Sequence, residues 1–239
     1  MAIIDFHSHM LPGIDDGSPN VETSLKMLHM AREQGVGLQL LTPHYYPWKE
    51  EIDRFLARRE ESAQALRAVL TPDLPAIRVG AEVAFFPRMS RRDMSALCVE
   101  GTKVLLVELP FESWDARVTD ELASLCLDRG YDVVLAHVER FLSYRGNAEL
   151  LEDFTALPLK MQINTETFLK WSSRRRGLEM IRSGMAQLLG SDAHNLTNRQ
   201  PNLAAGRRVI EKKLGAEALR TLDETAAELL APESVVEVR

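Results

Sequence analysis

At residues 3–9 the chain reads IIDFHSH, a short apolar run that ends in two histidines. Isoleucine and phenylalanine in a run this short are typical of a buried β-strand. Because successive side chains point to opposite faces of a strand, His7 and His9 share one face and Ser8 points away. Both imidazoles can therefore reach one ion at the end of the first strand. A single histidine at a strand end is more often a hydrogen-bonded loop residue, so the prediction of a metal site depends on the partners described below.

Six more short apolar runs recur along the 239 residues, and the stretches between them have helical periodicity. This alternation is typical of repeated βα units around a parallel sheet. The length fits one α/β barrel, and no linker, repeat or low-complexity tract divides the chain, so we predict a single domain over residues 1–239. The seven predicted strands are Ile3–Phe6, Leu38–Leu41, Ile77–Ala81, Val104–Val107, Val133–Ala136, Lys160–Ile163 and Gln187–Leu189.

Helices are predicted in the intervening stretches. The first has Ser18 as its N-cap and Pro19 as its first residue. The second is the long charged segment 48–70, which ends before Pro72. The others cover residues 117–129, 145–156, 175–183, 200–213 and 215–230.

The composition is that of an ordinary water-soluble protein, because 45% of the residues are hydrophobic and no apolar run is long enough to cross a membrane. The first ten residues lack the basic and apolar regions of a secretion signal, which favours a cytoplasmic location. A net charge of −6 disfavours a broad nucleic-acid surface. Cys98 and Cys126 lack the spacing of a zinc site, so we interpret both as buried thiols.

Metal-type ligands follow six of the seven predicted strands. Active sites of parallel barrels form at the C-terminal ends of the strands, so we expect these residues to lie close together. In a closed barrel the first and last strands are neighbours, which brings His7 and His9 near Asp192 and His194. Imidazoles and carboxylates without thiolates suit Mn, Fe or Zn, and the sequence does not choose among them. The strand-end residues are His7, His9, His44, Glu82, Glu108, His137, Asp192 and His194.

Six segments together resemble the PHP (polymerase and histidinol phosphatase) superfamily and, within it, the capsule-operon branch of manganese-dependent protein tyrosine phosphatases. The resemblance spans nearly the whole chain. It implies a distorted seven-stranded, TIM-like (β/α)7 barrel of the PHP type with three divalent metal ions, Mn being the first choice ahead of Fe and Zn. The segments are HSHMLPGIDDGS at 7–18, TPH at 42–44, VGAEV at 79–83, HVERF at 137–141, QIN at 162–164 and GSDAHNLTNR at 190–199.

The resemblance also implies which residues hold each ion, with Glu82 bridging the first and the second. Asp15, which precedes the ligand Asp16, is either a plain turn residue or one that orients a ligand. Histidinol phosphatase relatives tend to carry histidine at the position of Asp16, so the aspartate favours the tyrosine phosphatase branch. The first ion takes His7, His9, Glu82 and Asp192; the second takes Glu82, Glu108 and His137; the third takes Asp16, His44 and His194.

Two arginines follow predicted ligands closely: Arg140 comes three residues after His137, and Arg199 comes five after His194. A phosphate dianion needs positive charge and paired hydrogen bonds, which a guanidinium supplies. We interpret both arginines as catalytic residues that bind phosphate, rather than as partners in surface salt bridges.

Two further segments allow more than one interpretation. The three arginines at 174–176 are either a solvated helix start or a basic collar that attracts acidic protein segments. The aromatic side chains of Tyr45, Tyr46 and Trp48 either stack on an aromatic substrate or pack against the barrel, and we predict packing.

These features predict an enzyme that hydrolyses phosphomonoesters with a metal-activated hydroxide and without a covalent phosphoenzyme. The resemblance makes protein phosphotyrosine the expected substrate, in particular the tail of a bacterial tyrosine kinase that controls exopolysaccharide or capsule export. Two alternatives stay open. One is a phosphatase for small molecules such as histidinol phosphate, or a phosphodiesterase; the other is a catalytically silent module that binds phosphotyrosine. Neither a general acid nor an oligomeric state follows from the sequence.

Overall fold

The computed structural model describes residues 2–231 of the protein. Within that range nine β-strands are interspersed with eight α-helices, so the predicted α/β class is confirmed. The strands are β1 Ile3–Asp5, β2 Val36–Leu41, β3 His44–Tyr45, β4 Ala76–Val79, β5 Glu82–Ala84, β6 Val104–Glu108, β7 Asp132–Leu135, β8 Lys160–Asn164 and β9 Leu188–Gly190.

The strands pair in parallel and form two sheets. The smaller sheet has the order β1-β2-β4, and the larger has the order β3-β5-β6-β7-β8-β9. Two hydrogen bonds continue the pairing of β2 with β4 up to that of β3 with β5: the Gly80 N–H donates to the Leu41 carbonyl at 2.9 Å, and the Glu82 N–H donates to the Pro43 carbonyl at 3.0 Å. The short pair β3 and β5 therefore extends the pairing of β2 with β4.

The count of nine described strands differs from the seven predicted. Two predicted strands are each followed, after a short break, by an additional one, β3 or β5. Pro43 has no N–H to donate and lies in the break between β2 and β3. Gly80 lies in the other break, and a Cβ at this position would come within 3.1 Å of Val99 Cγ2, so the backbone runs close against Val99 there.

The first and last strands lie next to each other, as predicted. The Phe6 N–H donates to the Leu189 carbonyl at 3.1 Å, and the Asp192 N–H donates to the His7 carbonyl at 2.9 Å. A parallel bridge also joins Ser8 to Ala193. The residues that follow β1 are therefore held against those that follow β9.

Each predicted helix corresponds to an observed one, with ends that differ by up to four residues except at α3. There the predicted end at 129 falls after a π-helical turn, Ser124–Asp128, that continues the α-helix. The cap predicted at Ser18 is wrong, because α1 begins after Asn20, whose side chain accepts a hydrogen bond from the Thr23 N–H at 2.9 Å. In residues 2–231 no helix is long and apolar enough to cross a membrane. The helices are α1 Val21–Glu33, α2 Ile52–Arg67, α3 Ala116–Ala123, α4 Asn147–Phe154, α5 Glu166–Leu169, α6 Trp171–Arg182, α7 Leu203–Leu214 and α8 Ala216–Leu229.

Side chains of one strand divide between two buried layers. On β6, Val104 and Leu106 belong to one apolar cluster, whereas Leu105 and Val107 belong to a larger one. Each buried methylene contributes about 0.8 kcal/mol, so packing on both faces fixes the strand firmly. Glu108, the last residue of β6, lies on the same face of the strand as Val104 and Leu106. The packed strand therefore holds its side chain in a fixed position at the strand end.

Candidate metal centre

The nine predicted ligands come together at the C-terminal ends of the strands. Three of them lie on strands β3, β5 and β6, and the others lie in the loops that follow β1, β7 and β9. Eight of the nine are largely buried, whereas the side chain of Asp16 is 66% exposed. The fold thus gathers all the residues that the sequence singled out, although binding of an ion by them stays a prediction.

The carboxylate of Glu82 lies at the middle of the group. Its Oε2 atom is 3.3 Å from His7 Nε2, 3.3 Å from His9 Nε2 and 2.9 Å from His44 Nδ1. Its Oε1 atom is 2.8 Å from His137 Nε2. One buried carboxylate therefore contacts four imidazoles, the arrangement expected of a group that bridges two ions.

Three other carboxylates face the same imidazoles. Asp16 Oδ1 is 3.6 Å from both His44 Nε2 and His194 Nε2. Asp192 Oδ1 is 3.4 Å from His9 Nε2 and 3.5 Å from His194 Nδ1. The Oε1 atom of Glu108 is 3.4 Å from the Nε2 atom of His137.

Ligand atoms within 4.8 Å of one another form three groups among the described residues. They overlap the three ligand sets implied by the family resemblance but differ in membership. His9 joins the group of the third ion, and His44 replaces His137 beside Glu82 and Glu108. The groups are His7, His9 and Glu82; His44, Glu82 and Glu108; and His9, Asp16, His44 and His194.

Several buried ligand atoms lack a hydrogen-bond partner within residues 2–231. They include Glu82 Oε2, His44 Nδ1 and His194 Nε2. Although the first two atoms are only 2.9 Å apart, their geometry is not that of a hydrogen bond. An unsatisfied buried polar atom costs about 1–3 kcal/mol, so such atoms normally have a ligand. Imidazole nitrogens and carboxylate oxygens that face one another in this way fit divalent metal ions.

In three imidazoles the Nδ1 atom is held by a hydrogen bond, which leaves Nε2 for an ion. Gln162 Oε1 accepts from the His137 N–H at 2.9 Å, so this atom is an acceptor, and His7 Nδ1 donates to it at 3.1 Å. His9 Nδ1 donates to Asp15 Oδ2 at 2.7 Å, and His194 Nδ1 donates to the Asp192 carbonyl at 2.9 Å. Each ring therefore presents an unprotonated Nε2 when an ion binds.

Charge pairing balances the cluster without an ion. Burial opposes ionisation of Glu82, but the charges of His7 and His44 outweigh it and hold the pKa of Glu82 well below its usual range. Burial alone would lower the pKa of His137, yet hydrogen bonds to Glu108 and Glu82 raise this pKa to about 10. The metal-free centre thus pairs the ionised Glu82 with a protonated His137, and an ion that binds His137 must displace that proton. Burial acts the other way at His194, whose pKa it lowers.

Asp15 hydrogen bonds to two predicted ligands, so it is more than a plain turn residue. Besides its bond to His9, its Oδ2 atom accepts the His44 N–H at 3.0 Å, and its Oδ1 atom accepts the Gly17 N–H at 2.9 Å. Burial opposes ionisation of Asp15, but the charge of His9 lowers the pKa of the aspartate to about 2. The turn also needs glycine at position 17, because a Cβ there would lie 2.1 Å from the His9 carbonyl oxygen.

Three polar residues that sequence reasoning left without a role support the ligands. Gln162 holds His7, and the Asn164 amide donates to Asp192 Oδ2 at 2.8 Å. Asp5 accepts the Ser191 N–H at 2.8 Å and so ties the first strand to the last. The available signal was a polar side chain within an apolar strand, which is costly unless it is hydrogen bonded.

Backbone strain is concentrated at two of the ligands. His137 has φ of 33° and Asp192 has φ of 51°, both in the left-handed region that favours glycine. Arg88 is the one other non-glycine residue with positive φ within residues 2–231. Such conformations cost about 1–3 kcal/mol each and persist where the surrounding contacts impose them, often at functional sites.

Both predicted phosphate-binding arginines lie beside the predicted ligand Asp192. Arg199 Nη2 is 2.8 Å and Arg140 Nη1 is 3.6 Å from Asp192 Oδ2. The His194 N–H donates to the Arg199 carbonyl at 2.8 Å and so closes the loop after β9, which places Arg199 near His194. The guanidinium of Arg140 lies 4.9 Å from the centre of the Phe111 ring, a cation–π contact that fixes its direction.

The arginines and several predicted ligands line an open cavity of about 380 Å³ together with the aromatic side chains of Tyr46, Trp48, Phe85 and Phe111. Tyr46 stacks on His44 with ring centres 5.0 Å apart, and Trp48 is 65% exposed. Tyr45, in contrast, is buried against Phe55. The prediction that this aromatic segment packs against the barrel therefore holds for Tyr45. Tyr46 packs on one side against His44 and also lines the cavity, and the prediction fails for the exposed Trp48.

The two cysteines lie away from the cavity. Both are buried and free, as predicted. Burial raises the pKa of Cys98 to about 12 and that of Cys126 to about 11. A nucleophilic cysteine needs a lowered pKa and access to substrate, and neither thiol has these.

The sequence also matches known proteins over almost its full length. The profile of the capsular polysaccharide synthesis family CpsB/CapC matches residues 3–231. Tyrosine-protein phosphatase YwqE of Bacillus subtilis is 27% identical, covering 98% of this chain and 93% of the relative. Tyrosine-protein phosphatase CpsB of Streptococcus agalactiae serotype III is 24% identical, covering 92% of this chain and 94% of the relative.

Solved structures agree with these sequence matches. A chain from the crystal structures of YwqE from Bacillus subtilis and CpsB from Streptococcus pneumoniae, which are called metal-dependent tyrosine phosphatases, superposes with a TM-score of 0.86. It is 26% identical, and the match covers 97% of this chain and 96% of that one. An inactive dihydroorotase-like domain from Chaetomium thermophilum is 7% identical, has a TM-score of 0.55 and shares the fold alone.

The family match agrees with the resemblance predicted from the motifs. It extends from β1 to the end of α8 and so includes every predicted ligand and both arginines. The chain belongs to the CpsB/CapC family of capsular polysaccharide synthesis proteins.

Proposed function

We propose that this protein is a metal-dependent phosphatase that hydrolyses phosphotyrosine in proteins. The observation that carries the proposal is the convergence of nine ligand-type side chains around Glu82, directly beside two arginines and an open cavity. The relatives named as tyrosine-protein phosphatases cover nearly the whole chain, which supports the same activity here. We also propose a seven-stranded barrel of the PHP type, in which β3 and β5 are continuations of β2 and β4.

The ligand groups would hold three divalent ions, and we propose Mn ahead of Fe and Zn. The donor set contains imidazoles and carboxylates without thiolates, which suits all three metals. The assigned ligands are those of the family resemblance: His7, His9, Asp16, His44, Glu82, Glu108, His137, Asp192 and His194. When bound, such ions lower the pKa of water from ~15.7 toward ~7 and withdraw charge from a phosphate group.

The protein's own residues bind and orient the phosphate. Arg140 and Arg199 reach Asp192 from the cavity side, so their free N–H groups can donate to the non-bridging oxygens of a bound phosphomonoester. Their side chains are 43% and 35% exposed, which leaves both accessible to a substrate. Charge on those oxygens grows as the ester bond breaks, and fixed guanidinium groups stabilise it without reorganisation.

The aromatic residues of the cavity favour an aryl phosphate. Tyr46, Trp48 and Phe111 offer ring surfaces beside the two arginines, and aromatic pairs contribute about 0.5–1.5 kcal/mol beyond the area they bury. A phenol has a pKa near ~10, so a tyrosine leaving group needs less protonation than an alkyl alcohol. This feature distinguishes phosphotyrosine from small alkyl phosphates.

The physiological substrate that we propose is the autophosphorylated tail of a bacterial tyrosine kinase, and the site of action is the cytoplasm. Both proposals rest on the family resemblance and are supported by the link of the CpsB/CapC family to capsular polysaccharide synthesis. The rival enzyme activities are hydrolysis of histidinol phosphate and of phosphodiesters. The alternative that is not an enzyme is a catalytically silent module that binds phosphotyrosine.

The test is steady-state hydrolysis by protein stripped with a chelator and then supplied separately with Mn, Fe and Zn. The substrates are a phosphotyrosine peptide, histidinol phosphate and an aryl phosphodiester. We expect the phosphotyrosine peptide to have the highest kcat/KM, and activity to return only with metal. Equal low rates on all substrates would leave only a general phosphoesterase, and phosphotyrosine binding without turnover would favour the silent module. Activity that survives the chelator but is lost on thiol alkylation would exclude the metal mechanism.

A further inference from the structure

A basic groove lies between α6 and α7, apart from the candidate metal centre. We propose that this groove is a docking site for an acidic segment of a protein. We further propose that the segment belongs to the phosphotyrosine substrate, and this second part rests on the function proposed above.

The two helices carry a charge opposite to that of the whole chain. Together α6 and α7 contain eight arginine or lysine residues and two glutamates, a net charge of +6 in a chain whose net charge is −6. The remaining residues therefore carry a net charge of −12, so these two helices are basic within an otherwise acidic chain. A local field of one sign attracts a partner of the other sign.

Most of these cations have no partner of their own. The side chains of five exposed residues form no salt bridge or hydrogen bond with any residue in the part of the chain that the structure describes. Arg182 and Arg207 differ, because they pair with Glu179 and Asp223. An exposed cluster of like charges is unfavourable by itself, so an anionic partner gains from neutralising it. The five unpartnered residues are Arg175, Arg176, Arg208, Lys212 and Lys213.

The groove is concave and has a small apolar floor. It encloses about 360 Å³, its walls are four basic side chains, and its floor is Ala205 and Val209. On α7, residues 205, 208, 209 and 212 lie on one face because they are three and four positions apart. Arg174 is fixed in the wall, since its Nε atom donates to the Phe168 carbonyl at 2.6 Å. The basic wall residues are Arg174, Arg208, Lys212 and Lys213.

The shape selects an acidic peptide among anionic partners. A flat membrane surface cannot enter a groove between two helices, whereas an extended chain with glutamate or aspartate side chains can. A long nucleic acid would also meet the surrounding surface, where the rest of the chain carries −12. The methylene groups of glutamate fit the floor formed by Ala205 and Val209, and the carboxylates fit the wall.

The groove begins near the catalytic edge of the sheet. α6 starts at Trp171, seven residues after β8 ends at Asn164, whose side chain donates to the predicted ligand Asp192. Arg174 lies in the first turn of α6, so the groove leads away from the strand ends along the helices. An acidic stretch at a distance from a phosphotyrosine in the same chain is therefore the occupant that we propose.

The first test measures binding without turnover, by fluorescence anisotropy of a labelled glutamate-rich peptide. The double variant Arg208→Glu/Lys212→Glu is compared with Arg91→Glu/Arg129→Glu, which changes the charge equally at exposed cations away from the groove. We expect the groove variant to raise Kd at least about tenfold, the control to stay within about twofold, and binding to weaken with added salt. Circular dichroism checks that both variants are folded.

Equal effects of the two variants, or none from either, would overturn the docking site. So would binding to phosphatidylserine vesicles or to DNA with no binding to the peptide. Each of these outcomes is read without any enzyme activity, and thus does not depend on the proposed phosphatase function.

The second test measures kcat/KM for two phosphotyrosine peptides, one with an acidic flank and one with an uncharged flank. We expect wild type to prefer the acidic flank through a lower KM, and the groove variant to lose that preference with kcat unchanged. If the acidic peptide binds at the groove but the acidic flank does not lower KM, the docking site stands. The proposal that its occupant belongs to the substrate is then overturned. If neither peptide is hydrolysed while the acidic peptide binds, the proposed phosphatase function fails instead.

Discussion

The candidate metal centre and the basic groove are both dense in charge, but they are built in opposite ways. In the centre the charges are buried and face partners of opposite sign, as Glu82 faces His7 and His137. In the groove Arg208 and Lys212 are exposed and face no carboxylate within the described residues. Burying an uncompensated charge costs several kcal/mol, whereas exposing it to water costs little. The centre therefore fixes short-range geometry, and the groove acts at a distance that salt can screen.

The largest effect is expected from Glu82→Gln, which removes the carboxylate that faces four imidazoles. The loss of a bridging ligand should reduce metal content and lower kcat/KM at least about 10³-fold. Elemental analysis and phosphotyrosine hydrolysis measure both. The exposed Glu149→Gln is the control, and full metal content with near-normal activity in Glu82→Gln would contradict the assignment of this residue.

Arg199→Ala should have the next largest effect, because it removes phosphate binding and leaves the ions in place. We expect kcat/KM to fall about 10²-fold to 10³-fold at unchanged metal content, and Arg140→Ala to have a smaller effect, since Arg140 lies farther from Asp192. Arg199→Lys should recover only part of the activity, because an ammonium cannot form the paired hydrogen bonds. Arg145→Ala, at an exposed position after the same strand as Arg140, is the control; if it matched Arg199→Ala, phosphate binding would not be specific.

A third prediction concerns pH and compares the buried charges with the exposed ones. In metal-free protein the pKa of His137 is raised to about 10, so the stability from this group is complete below the unfolded pKa of ~6.5 and is lost as pH rises toward 10. The pKa of Asp15 is lowered to about 2, so its contribution is complete above ~3.9 and is lost as pH falls toward 2.

Thermal unfolding of chelated protein should therefore show Tm falling from pH 7 to pH 10. Bound metal should reduce that fall, because an ion binds the deprotonated imidazole. Arg208→Glu/Lys212→Glu should keep the same dependence, since arginine and lysine do not titrate in most of this range. A flat Tm profile of the chelated protein between these values would contradict the pairing inferred for His137.

The smallest effect is expected at the aromatic edge of the cavity. Trp48→Ala should lower kcat/KM about threefold to tenfold for a phosphotyrosine peptide and leave an alkyl phosphate such as glycerol 2-phosphate unchanged, because only the aryl ring contacts the indole. Trp171→Ala provides a matched control, since Trp171 is 89% exposed and lies outside the residues that line the cavity. Equal losses on both substrates would mean that Trp48 supports the structure instead of recognising a ring.

Much of the site was predictable because strand ends are a local feature. His7, Glu108 and His137 each follow an apolar run, and parallel strands bring such positions to one edge whatever their separation in sequence. The strand count was less predictable. The breaks at Pro43 and Gly80 depend on a missing N–H and on close packing with Val99, and neither changes the apolar pattern.

Contacts that depend on side-chain direction could not be read from the sequence. Asp15 and Asp16 are adjacent, yet one hydrogen bonds to His9 and the other faces His44 and His194. Tyr45 and Tyr46 are likewise adjacent, and one packs in the core while the other lines the cavity. Tyr45 ends β3, where neighbouring residues point to opposite sides, whereas Asp15 and Asp16 lie in a bend. In both places only the surrounding elements determine which side chain is buried.

The sequence by itself determined the α/β class, the metal-type residues at the strand ends and the family, because apolar periodicity and local motifs are properties of short segments. Only the tertiary structure decided that Glu82 is the shared partner of four histidines, that two arginines meet at Asp192, and that cations from α6 and α7 form one groove. These contacts join residues far apart in the chain, and their geometry depends on how the strands and helices pack.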